Sequence, residues 1–277
     1  MCGIVTLRVR CEVFAVSSSF AARDTLPTLI RAEDSLRMKP SNSVREPTKF
    51  HPRILIFDVD GVLVDVRGSY WLSGLQTVRF LTGKRVTWKE LHEWKAKPGN
   101  NDDWNMVSSW ATALGRPTTY QEARSAFEPF YWGRNGQPGN VCKEKFLITP
   151  RQIERWAQRF ELNLFTGRTR QEFSYTFDRW PAARCFRTVV TMDDVRRKKP
   201  CPDGLLKILG KRDPASSLYV GDNIDDALAA RAACVPFVAI LPHDAQDYRG
   251  RAERFRELGA LALLPCAVDL SHFLSLR

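Results

Sequence analysis

The feature that most restricts the fold of this 277-residue chain is a run of four apolar residues, Ile54-Leu55-Ile56-Phe57, that passes directly into Asp58-Val59-Asp60-Gly61. An apolar run without polar alternation marks a strand covered on both faces, and such strands belong to parallel sheets sandwiched between helices. Parallel neighbours need crossover connections, usually helical, so the rest of the chain should alternate. From residue 150 onward it does. Strand candidates fall at 162–165, 187–191, 218–220, 236–241 and 261–264, and helical patterns at 170–180, 203–209, 224–233 and 248–258. The expected fold is α/β, a doubly wound Rossmann-like parallel sheet.

The stretch 67–148 breaks this rhythm. It has helical periodicity without a good strand and holds six of the eight tryptophans, Trp71, Trp88, Trp94, Trp104, Trp110 and Trp132. Thr87 and Glu90 have the spacing of a capping box, which opens a helix. An α-helical cap inserted after the first strand is therefore expected, on a core built from 51–66 and 149–277. The tryptophans are read chiefly as the interior of that cap, and 132–136 as a turn-rich, mobile link back to the core. Residues 1–50 differ from the rest and are expected to be a flexible extension, with Met38 as a candidate start. Acids such as Glu12, Asp24, Glu33 and Asp34 speak against a transit peptide. Met1-Cys2-Gly3-Ile4 resembles the start of glutamine amidotransferases, but four residues carry little weight.

Composition narrows the class. With 44% hydrophobic and 26% charged residues the chain has the balance of a globular protein, and it holds no apolar run long enough to span a bilayer. Its seven cysteines are scattered without a CxxC, which argues against a disulfide scaffold or structural zinc and favours a reducing compartment such as the cytoplasm. The net charge of +11 suits an anionic ligand. Nucleic acid is not the expected partner, since basic clusters such as 196–199 are its whole support.

Chemistry concentrates at strand ends. In extended chain, Asp58 and Asp60 face the same way, and Gly61 lets the backbone turn tightly. Two carboxylates at 4 Å repel by about 1 kcal/mol in water and about 4 kcal/mol at an effective dielectric of 20, so a cation should complete the site. The strand at 162–165 ends in Thr166-Gly167-Arg168, where Thr166 suits either an anion-holding hydroxyl or the N-cap of the next helix. Lys198-Lys199-Pro200 sets a lysine before a stiffened loop. The strand at 218–220 runs into Gly221-Asp222-Asn223-Ile224-Asp225-Asp226, oxygen donors suited to a hard cation such as Mg²⁺. In the inserted segment, Gly99-Asn100-Asn101-Asp102-Asp103-Trp104 is a turn leading into a helix, with Asn101 or Asp102 as N-cap; substrate contact is the competing reading. The four histidines have no ligand spacing and receive no role, and no P-loop is present.

In this order the four strand-end segments resemble the motifs of the haloacid dehalogenase superfamily, and the helical insertion is similar to the C1 cap of its phosphoglycolate phosphatase-like subfamily. The resemblance covers about 53–264. It implies Asp58 as a nucleophile forming an aspartyl-phosphate and Asp60 as general acid and base. Thr166, Gly167 and Lys199 would hold phosphate. Asp58, the carbonyl of Asp60 and Asp222 would bind Mg²⁺, with Asp226 supporting them and Asp225 a weaker candidate. Asn101, Asp102 and Arg168 are the candidate substrate contacts. The implied function is hydrolysis of a phosphomonoester of a small soluble metabolite. A phosphomutase is the nearest alternative, dehalogenation is disfavoured by Asp60, and a receiver-like phospho-signalling domain is the alternative from a different class.

Overall fold

Six strands, β1 (Ile54–Phe57), β2 (Glu161–Phe165), β3 (Phe186–Val190), β4 (Ser217–Gly221), β5 (Phe237–Ile240) and β6 (Ala262–Leu264), form one sheet in the computed structural model, which describes residues 51–97 and 99–276. Their spatial order is β3-β2-β1-β4-β5-β6, and every neighbouring pair is parallel. The chain steps outward from β1 to β3, then returns to β4 on the other side of β1. That reversal opens a crevice beyond the carboxyl ends of β1 and β4, where ligands bind in doubly wound sheets. The readings made of residues 1–50 lie outside the described residues.

Strand β1 shows why its sequence lacks alternation. Leu55 and Phe57 join one buried cluster, with Trp156, Leu162, Leu164 and Val220, while Ile54 and Ile56 join another, with Phe165, Leu205, Tyr219 and Phe237. Side chains alternate across the sheet, and both faces are covered, so both sets must be apolar.

Four helices follow β1: α1 (Leu72–Thr82), α2 (Trp88–Lys95), α3 (Asp103–Ala113) and α4 (Tyr120–Trp132). The capping box at Thr87 and Glu90 is formed, and a second at Thr119 and Glu122 opens α4. Asp102, not Asn101, is the N-cap of α3. Trp104 and Trp110 are buried as expected, whereas Trp88 is 43% exposed. The remaining helices are α5 (Pro150–Ala157), α6 (Arg170–Phe177), α7 (Asp203–Leu209), α8 (Ile224–Ala232), α9 (Tyr248–Glu257) and α10 (Leu270–Phe273). Helix α6 stops three residues before the end its periodicity suggests, since Pro181 disfavours helix at Trp180.

The inserted segment also contains extended pairs. Gly133–Arg134 pairs antiparallel with Gln137–Pro138, so the expected link at 132–136 is a hairpin. Gly133 has φ +96° and would clash with backbone if it carried a side chain. Val64–Asp65 pairs antiparallel with Lys145–Phe146, joining the outgoing and returning chain where the helical segment leaves the core. Among the described residues no helix is long and apolar enough to cross a membrane.

Candidate active site

Asp58 is the first residue beyond β1, its amide still donating to Val220 of β4 at 2.8 Å. The chain then turns at Gly61, whose φ is +72° and whose missing side chain leaves room for the Asp222 carboxylate. Any larger residue there would overlap Asp222 and strain the backbone, so this glycine lets the β1 and β4 loops meet.

Lys199 reaches into the same place. Its Nζ lies 2.7 Å from Asp58 Oδ1 and 2.7 Å from Asp226 Oδ1, between the rings of Phe165 and Tyr219. Asp226 is fixed in turn by the Tyr219 hydroxyl at 2.6 Å and by the Asn223 amide at 3.0 Å. Oxygens of Asp58, Asp222 and Asp226 lie within 4.8 Å of one another. Burial, reinforced by Asp226, Asp60 and Asp222, outweighs Lys199 and holds the Asp58 carboxyl well above its ordinary range. Burial and the neighbouring Asp226 push Asp222 up to about 7. Lys199 is itself opposed by burial, but Asp226 and Asp58 more than offset this and raise its pKa. Three gathered carboxylates thus share one ammonium. A hard, oxygen-seeking divalent cation fits this donor set and charge deficit.

Asp60 belongs to a second ion cluster. Arg168 Nε donates to Asp60 Oδ1 at 2.8 Å, and its Nη1 donates to Glu144 Oε2 and Thr176 Oγ1, each at 2.9 Å. The Arg168 side chain is fully enclosed. Arg168, expected as a substrate contact, borders the cleft with Asp58 and Asp60, and its guanidinium bonds Asp60, Glu144 and Thr176. Glu144 and Thr176 were missed, since nothing in local spacing links them to position 168.

Thr166 is buried at the end of β2 and accepts from the Arg168 amide at 3.1 Å. It does not cap α6; Thr169 does, in a capping box with Glu172. Gly167 lines a cleft with Asp58, Asp60 and Asn101. Asp102 also borders this cleft, but one oxygen caps α3 and the other accepts from Tyr120 and Lys198, 2.9 and 2.8 Å away. Of its two readings, capping is realised in the structure. The Asn101 side-chain nitrogen faces Gly167. Beside this cleft is a cavity of about 370 Å³ whose walls include Asp60, Asp222, Trp71, His92, Asn101 and Arg251. His92 stands edge-on to Trp71 at 4.9 Å, and burial followed by Arg251 lowers its pKa. It was given no role in the sequence, for want of any ligand spacing. Asp225 turns away from the metal-type cluster towards the loop at 99–101.

A family model for haloacid dehalogenase-like hydrolases matches residues 153–240. A phosphoglycolate phosphatase of Pseudomonas syringae pv. syringae is 36% identical over 199 residues, covering 68% of this chain and 69% of that protein. An imidazoleglycerol-phosphate dehydratase of Phytophthora nicotianae is 27% identical over 189 residues, 65% of this chain; the alignment spans 41% of that protein. Among solved structures, a Lactobacillus plantarum protein provisionally named a phosphoglycolate phosphatase matches with a TM-score of 0.64 at 16% identity, covering 80% of this chain and 99% of that one. A Thermotoga maritima protein provisionally named a β-phosphoglucomutase matches at 0.57 and 20% identity, covering 80% and 98%. The structural matches establish the fold. Together with likeness over two thirds of both chains to the Pseudomonas enzyme, they lead to one conclusion: this chain belongs to the haloacid dehalogenase-like hydrolase family, beside its phosphoglycolate phosphatases.

Proposed function

We propose that this protein is a Mg²⁺-dependent phosphomonoesterase that hydrolyses a small phosphorylated metabolite through an aspartyl-phosphate on Asp58. The single observation that carries the reading is the gathering of Asp58, Asp222 and Asp226 around one ammonium, Lys199, which pairs with Asp58 and Asp226, beside an independently held Asp60. Helical residues 67–148 form the cap over this site, and the leaving group occupies the adjacent cavity.

In the first step an Asp58 oxygen attacks phosphorus and the bond to the leaving oxygen breaks, with Asp60 donating a proton to that oxygen. In the second, Asp60 takes a proton from water as the water attacks phosphorus; phosphate leaves and the Asp58 carboxylate is restored. Splitting the displacement in two lowers each barrier, and proton transfer by a positioned carboxyl contributes about 10²–10⁴ in rate. Lys199 offsets the repulsion between carboxylate and phosphate, while the Thr166 hydroxyl and Gly167 amide hold phosphate oxygens. Asp58, the Asp60 carbonyl and Asp222, supported by Asp226, would hold Mg²⁺, which would supply further neutralisation of the phosphate. The thiols of Cys142, Cys185, Cys201, Cys234 and Cys266 are free, which suits a reducing compartment such as the cytoplasm.

The test is phosphate release across a panel of phosphorylated metabolites, with Mg²⁺ and with chelator. Release that needs Mg²⁺ supports the reading; isomerisation of a sugar phosphate without release would make the protein a mutase. A stable phosphoprotein after acetyl phosphate treatment would favour the receiver-like reading.

A further inference from the structure

The loop that opens α3 is fastened to the core at two points, and each anchor is the chain neighbour of a residue in the Lys199 cluster. Asp225, beside Asp226, accepts the Gly99 amide on both carboxylate oxygens, at 2.9 and 3.0 Å, and the Asn101 amide at 3.3 Å. Lys198, beside Lys199, donates to Asp102 Oδ2 and to the Tyr120 hydroxyl, each at 2.8 Å. The loop is also braced within itself. Asn105 Nδ2 donates to the Gly99 carbonyl at 3.1 Å, and Asn100 Nδ2 to the Trp94 carbonyl at 2.9 Å, so the segment joins the end of α2 to the start of α3.

Asp225 is fully buried. A carboxylate in that position is costly unless donors meet it, and the donors it finds are amides of a segment more than a hundred residues away in sequence. It is not needed to start α8, because Asn223 is the N-cap and Asp226 closes the capping box. We propose that Asp225 and Lys198 are positioning residues, a two-point latch that seats the loop at 99–102 over the site. The latch sets the Asn101 amide against the turn at Gly167, and it couples cap placement to Lys199 and Asp226 through adjacent backbone. The catalytic part of this proposal rests on the phosphatase reading; the latch itself does not.

The experiment compares wild type with Asp225→Asn, Asp225→Ala, Lys198→Ala and Lys198→Arg. Two readouts are used: residue-resolved amide hydrogen exchange and steady-state phosphate release from p-nitrophenyl phosphate in Mg²⁺ buffer. Lys198 is partly exposed, so its variants keep the fold even where Asp225→Ala does not. In the Asp225 variants, Gly99 and Asn101 should lose protection while β1 and β4 keep theirs. Because misplacing a site by about 1 Å can cost about a hundredfold, Asp225→Asn should lower kcat/KM about ten- to a hundredfold. Lys198→Ala should lower it severalfold, and Lys198→Arg should restore most of that loss. Unchanged protection at Gly99 and Asn101 would overturn the latch. Lost protection with unchanged kcat/KM would overturn its positioning role. If wild type releases no phosphate from any substrate, the phosphatase reading fails, and exchange alone decides the latch.

Discussion

Two buried cations pair with carboxylates just beyond the end of β1, and the two are balanced differently. Arg168 is a planar fork whose donors meet Asp60, Glu144 and Thr176, and its two acids are matched to that geometry. Lys199 is a compact charge between Asp58 and Asp226, with Asp222 close by and pushed up to about 7. Arg168 faces two acids, whereas Lys199 faces two with a third, Asp222, gathered beside them, so the Lys199 cluster carries the larger excess of negative charge. On the proposed function the Arg168 cluster holds Asp60 in place, and the Lys199 cluster, left incomplete by its charge, receives a cation and a phosphate.

Breaking the incomplete cluster at its centre should have the largest effect. Asp58→Asn is expected to lower phosphate release by about 10⁴-fold or more, as for removal of a nucleophile, with folding intact by circular dichroism. Asp60→Asn should lower turnover by about 10²–10⁴ while Mg²⁺ binding persists, because only the proton carrier is altered. Calorimetric titration alongside the rate assay separates these effects.

The next pair sharpens the contrast. Lys199→Met and Arg168→Met each strand buried acids, and each should cost about 3–5 kcal/mol in urea unfolding. Saturating Mg²⁺ should recover much of the loss in Lys199→Met and little in Arg168→Met. Equal recovery in both would erase the distinction between the clusters.

The smallest effect concerns pH. Glu172, behind Arg168, is pushed up to about 6 by burial, above its ordinary 4.5. The folded chain therefore binds more protons than the unfolded chain between these values, so this group's stabilisation falls as pH rises from 4.5 to about 6 and levels off above. The loss is on the order of 2 kcal/mol. Glu172→Gln keeps an acceptor for Thr169 and should flatten that slope relative to wild type in unfolding measured across the window.

The two clusters also differ in how far they were legible. Asp58, Lys199, Asp222 and Asp226 each follow or approach a strand end, and a doubly wound sheet brings strand ends together, so local sequence and topology place them. The Arg168 cluster depends on Glu144, which returns from the inserted segment, and no period or spacing connects the two. The same holds for Asp225 and the amides of Gly99 and Asn101. Helices of the inserted segment announced themselves where a capping box was present, as at Thr87 and Glu90. Thr169 and Glu172 carry that same signal, which was passed over when Thr166 was considered as the cap of α6. The hairpin at 133–138 has only two residues per strand, too short for any alternation to register.

The central claim is that the carboxylate cluster is short of positive charge and takes up one divalent ion. Calorimetric titration of Mg²⁺ into wild type and Asp222→Asn at neutral pH tests it directly. One ion per wild-type chain, with binding at least about tenfold weaker in the variant, is the expected result. Absence of binding to wild type, or equal affinity in the two proteins, would contradict the account.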